Sequence, residues 1–146
     1  MTTKYAQGTS VPVERSIAEL KRICEKYGAS NFGFLQSDSA AAVFFKFDNR
    51  MYRMDLHFQS PSKTAGISST EIKKMKAEER RKWRVLILTI KAMFVSIESE
   101  VFDSCTLFQP FTLLPDNTVI GERMNPQIEQ AYQTGRMPII FLEEKL

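Results

Sequence analysis

Arg53, Asp55 and His57 alternate along the stretch RMYRMDLHF. In an extended chain, alternation puts all three side chains on one face, where an aspartate beside a histidine can orient it as a general base. No nucleophile or metal set accompanies them, and any half-exposed strand yields polar residues at this spacing. The triplet therefore reads as a solvated strand face, and no catalytic residue is assigned. His57 is the sole histidine, which excludes any site needing two. The carboxylate groups Glu78-Glu79, Glu98-Glu100-Asp103 and Glu143-Glu144 lack the Asp/Asn/Gly loop of a calcium site. Neither G-x-x-x-x-G-K-[ST] nor G-x-G-x-x-G occurs. The expectation is a non-enzymatic protein with no metal and no cofactor.

A second set of residues points to binding. A long helix is expected from Ser69 or Thr70 to about Phe102. Projected at about 100° per residue, it gathers Ile72, Met75, Trp83, Leu86, Ile90, Met93, Ile97 and Val101 on a core face. Arg80, Arg84, Ile87, Lys91 and Glu98 form a narrow stripe beside it. Arg80 to Lys91 spans roughly 16 Å at the helical rise. Either Lys91 lays its stem on apolar neighbours and sends its ammonium to water, or Arg80, Arg84 and Lys91 line a groove for an anion. Lys73, Lys74, Lys76, Arg81 and Lys82 add charge at the helix start, diluted by Glu71, Glu78 and Glu79.

The elements that must position these residues follow from pattern and punctuation. Ile17, Leu20, Ile23, Cys24 and Tyr27 recur at helical spacing, with Ser10 as the expected cap and Gly28 as a left-handed exit. SNFGFLQ, SAAAVFFKF and RMYRMDLHF read as strands, the last two joined by a two-residue Asp48-Asn49 turn. Pairing Phe47 with Arg50 puts Val43, Phe45, Phe47, Tyr52, Met54, Leu56 and Phe58 on the core face. Phe44, Lys46, Arg53, Asp55 and His57 then share the other. An aromatic beside basic residues on an open sheet face is how single-strand binders stack bases and neutralise phosphates. A covering fifth strand or terminal segment would instead make Phe44 core.

Beyond the long helix, TLFQPFTLL reads as an edge strand because of Pro110, turning at Pro115-Asp116-Asn117 and returning through TVIGERM. Asn125-Pro126 then opens a short helix that closes at Gly135, and RMPIIFL is a terminal apolar segment expected to pack on the body. The expected fold is a single α+β domain over residues 1–146: an N-terminal helix, an antiparallel β-meander on one long helix, then a β-hairpin and short helix. The composition is 43% hydrophobic and 25% charged, which suits a packed domain rather than a disordered chain. The charge of +3 is mild, so only its placement can inform. Cys24 and Cys105 form no CxxC pair, no signal peptide is evident, and the run Val85–Ile90 is too short to span a bilayer. A soluble protein of a reducing cytoplasm is expected.

VPVERSIAELKRICEKYGAS, ERRKWRVLILTIKAMFVSIESEV and LPDNTVIGERMNPQIEQAYQTGRMP together resemble a family of small proteins encoded by bacteriophages and prophages. The resemblance implies a bacterial cytoplasm, during phage replication or with the gene carried on a mobile element, and it assigns no activity or functional residue. The element order is also similar to double-stranded RNA-binding domains and to phage single-strand annealing proteins, as architecture only. Two functions remain open. One is nucleic-acid binding, single-stranded DNA being favoured, by Arg80, Arg84, Lys91, Arg53, Lys46 and Phe44. The other is a phage inhibitor or adaptor that binds a host protein. A homo-oligomer through the extra apolar face of the long helix is a further expectation.

Overall fold

The computed structural model describes residues 2–61 and 66–138. Its order is α1 (Val13–Lys26), β1 (Ser30–Gln36), β2 (Ala40–Phe47), β3 (Arg50–His57), α2 (Ser69–Glu98), α3 (Ser104–Phe108), a 3-10 turn (Gln109–Phe111) and α4 (Ile120–Thr134). This is an α+β fold with one antiparallel sheet in the order β1-β2-β3.

Local chemistry sets most of the first half. Asp48 and Asn49 adopt φ of +48° and +64°, the left-handed pair that a two-residue hairpin turn requires. Phe47 pairs with Arg50 and Phe44 with Arg53, as the alternation predicts. Val43, Phe45, Tyr52 and Met54 are accordingly buried with Leu20 and Cys24 of α1 and with Trp83, Ile90 and Phe94 of α2. Aromatic rings dominate this core. Tyr27 stacks on Phe94 with centroids 5.2 Å apart, and Phe45, Phe47 and Phe108 surround the same ring at 5.5–5.8 Å.

The helix ends differ from expectation in instructive ways. Pro12, not Ser10, is the N-cap of α1, while Gly28 takes its left-handed φ of +88°. Ser68 caps α2, its hydroxyl accepting from the Glu71 amide at 3.2 Å; Ser-x-x-Glu is the capping-box spacing, which Ser69 and Thr70 lack. The helix stops at Glu98 rather than near Phe102, because Glu100 turns left-handed and the Val101 amide folds back to the Ser96 carbonyl. Val101 is consequently exposed, Ile72 and Met75 are only half-buried, and Ile87 and Phe94 take core places.

The segment after α2 departs furthest. TLFQPFTLL is not an edge strand. Asp103 caps α3 by accepting from the Thr106 amide, Pro110 lies in the 3-10 turn, and only isolated bridges, Tyr52–Thr112 and Leu113–Val119, remain of the hairpin. Its aromatic richness reflects core anchoring, with Phe108 fully buried, not β pairing. The turn at Pro115-Asp116-Asn117 is present, closed by the Asn117 amide on the Leu114 carbonyl. Helix α4 starts upstream of the expected cap, at Ile120, and carries Pro126 inside it. Gly121 permits this: a Cβ there would stand 3.0 Å from the Pro110 carbonyl, so the first turn of α4 rests directly on the 3-10 turn. Closure at Gly135, φ +70°, is as expected. Of RMPIIFL, the residues beyond Pro138 lie outside the described part, as do residues 62–65 of the polar loop.

Candidate functional site

The basic stripe of α2 runs along the seam with α1. Arg84 donates to both oxygens of Glu19 on α1, at 2.6 and 3.4 Å. That pairing holds the Glu19 carboxyl below its ordinary range, chiefly by the hydrogen bond, with Lys91 adding a smaller attraction. Arg80 donates to the Thr9 carbonyl just ahead of α1, at 3.4 Å. Two of the three candidate anion ligands are thus engaged by the chain itself. Lys91 is exposed, which answers why an apolar helix carries it: the position sits at the outer rim of the seam.

Phe44, Lys46 and Arg53 occupy the opposite side of the molecule. Strand alternation sends Val43, Phe45, Tyr52 and Met54 toward α2, so their neighbours face away from it. The sheet therefore separates this trio from Arg80, Arg84 and Lys91, and the two sets do not line one groove. Arg53 is also committed. It donates to both carboxylate oxygens of Asp55, to Glu122 at 2.7 Å and to the Asn117 carbonyl at 2.6 Å. Asp55 serves Arg53, which removes it as the orienter of a His57 base. Phe44 and Lys46 are half-buried beside Gly33 and Met51 of the flanking strands. Near them a shallow depression of about 260 Å³ opens between Leu35, Ala40, Ala42, Asp55 and His57.

Sequence reading missed the acidic partners, Glu19 and Glu122, which stand 65 and 69 residues from their arginines. It also missed two exposed apolar groups on the sheet. Phe34 and Leu35 of β1 are 48% and 65% exposed, although SNFGFLQ carries an ordinary strand pattern. A bulge between Ser30 and Gly33 sits in the same strand, and β1 pairs with β2 alone among the described strands. The two side chains project to opposite faces of the strand, Phe34 on the side of Val43 and Leu35 on the side of Ala42, and both are exposed.

Cys24 is buried in the core, and that burial pushes its thiol up to about 12, far from nucleophilic character at neutral pH. Cys105 is exposed. Among the described residues no group of three His, Cys, Asp or Glu side chains converges as metal ligands would, and no helix is long and apolar enough to cross a membrane. Comparison with protein-family models, with curated proteins and with solved structures returns no match.

Proposed function

We propose that this chain is a non-enzymatic binding module whose partner is another protein, in keeping with an adaptor or inhibitor role in the phage setting that its sequence resemblance implies. One observation carries the reading: β1 offers an apolar strand edge while the candidate anion ligands Arg53, Arg80 and Arg84 are engaged by the chain itself. A strand with one unpaired edge presents a row of amides and carbonyls to any extended segment that approaches, and Phe34 and Leu35 supply apolar anchors on its two faces. Edge strands are usually blunted by charge, proline, a cover or a bulge; β1 carries no charge and no proline, and its bulge lies between Ser30 and Gly33, ahead of Phe34 and Leu35. The charge, by contrast, is dispersed: Arg84 serves Glu19, Arg53 serves Asp55 and Glu122, and Arg81 serves Glu78.

A second reading, single-stranded nucleic acid, draws on Phe44 and Lys46 beside the open depression and on exposed Lys91, Lys73, Lys74 and Lys76. The two are separable in one set of experiments. Host-lysate proteins retained by the wild type and lost with Phe34→Lys/Leu35→Lys, with circular dichroism unchanged, support the protein reading. Labelled single- and double-stranded oligonucleotides are titrated in parallel at low and moderate salt. Salt-sensitive binding that Lys46→Ala and Lys91→Ala weaken, with no protein retained, overturns it in favour of nucleic acid.

A further inference from the structure

The outward face of α2 has the composition of a buried helix. From Val85 to Ser99 its solvent side carries Val85, Leu88, Thr89, Ala92, Val95 and Ser96, with Leu88 and Val95 each 44% exposed. Two hydroxyls on this face bond back to their own helix. Thr89 donates to the Val85 carbonyl at 2.9 Å and Ser96 to the Ala92 carbonyl at 3.0 Å. Such return bonds satisfy a hydroxyl within its own helix and leave an apolar outer surface. Leu88, Ala92, Val95 and Ser99 follow the four-three-four spacing of a helix-pairing seam.

The geometry points to a second copy of this chain as the occupant, packed antiparallel along α2 about a two-fold axis between Ala92 and Val95. Three features select that partner and that direction. First, the seam is self-complementary in size: in this register Leu88 faces Ser99 of the second copy and Val95 faces Ala92, large against small at each layer. Second, the flanking charges are self-complementary. Lys91 and Glu98 lie on the same flank, two turns apart, and a two-fold axis across antiparallel helices brings each beside the other's counterpart. A parallel pair would carry them to opposite flanks. Third, both are exposed, and neither forms an ion pair among the described residues; the attraction of Lys91 to Glu19 is the smallest of those acting on that carboxylate. The α1 seam meets the same flank as Lys91, where Arg84 reaches Glu19 and Ile87 is buried, and it leaves Leu88, Ala92 and Val95 exposed. The inference stands independently of the β1 edge, which is a separate surface.

Sedimentation velocity of the full chain tests it, run from ~1 to ~100 μM, a range that brackets weak self-association. The wild type is expected to shift toward dimer with concentration, and Val95→Arg, at an exposed site, to remain monomeric with unchanged circular dichroism. Lys91→Glu and Glu98→Lys are each expected to weaken the dimer by about tenfold, since the symmetry places either reversal in two ion pairs. Combining them should restore association to near the wild-type level. A wild type that is monomeric throughout, or a dimer indifferent to Val95→Arg, overturns the proposal. Failure of the double reversal to restore the dimer overturns the antiparallel register.

Discussion

The two halves of this molecule are held by different forces. From α1 to α3, the rings of Tyr27, Phe45, Phe47, Tyr52, Phe94 and Phe108 and a set of aliphatic side chains pack into one core. Among the described residues from Thr112 onward only Val119 is buried, and α4 buries no residue at all, with Tyr132 88% exposed. That region is fastened by directional bonds. Arg53 clasps Glu122 and the Asn117 carbonyl, Arg123 pairs with Asp116, and Thr118 donates to Asp116. Burial of apolar area is insensitive to pH and strengthens with the number of contacts, whereas ion pairs near the surface respond to acid and salt. The C-terminal region should therefore open while the body stays folded.

The sharpest way to break the first half is Phe94→Ala. The ring is fully buried amid four other aromatics, so its loss is expected to lower stability by about 3–5 kcal/mol, measured by denaturant unfolding. A loss below about 1 kcal/mol would mean that the core closes differently.

Arg53→Met breaks the second half alone. The side chain is 16% exposed and its guanidinium meets two carboxylates and a carbonyl. Its removal is expected to weaken docking of residues 112–134 by about 1–2 kcal/mol. Hydrogen exchange should show faster amides there and unchanged protection on β2. Equal loss in both regions would refute the contrast between them.

Acid supplies the smallest and most graded test. Asp116 is held at about 2, below its usual 3.8, by hydrogen bonds from Thr118 and by Arg123, and Glu19 is lowered from 4.5 by Arg84. A carboxyl whose folded value is depressed contributes stability above its unfolded value and loses it as pH falls through the folded one. Protection of residues 112–119 is thus expected to decline from about pH 4 to about pH 2, and Asp116→Asn to make that decline shallower. A pH-independent profile in the wild type would show that the Asp116 cluster does not hold the turn.

How much was legible in advance depended on where the deciding atoms lay. The Asp48-Asn49 turn, the pairing of Phe47 with Arg50 and the core face of β2 and β3 were readable because the deciding groups are adjacent in the chain, and a single turn type fixes the register. The stretch 104–119 was not, because aromatic residues serve equally as strand members and as core anchors. Only the cavity beside Phe45 and Tyr52 assigns Phe108 to the latter. Lys91, Arg84 and Arg53 looked alike as cations in sequence. Tertiary structure set them apart by bringing Glu19 and Glu122 to the two arginines across 65 and 69 residues and leaving the lysine in water. Residue order by itself determined β1 to β3, the turn between β2 and β3 and the faces of those two strands. Which charges are neutralised, and which apolar groups stay outside, was decided only by folding, since both depend on groups far apart in the chain.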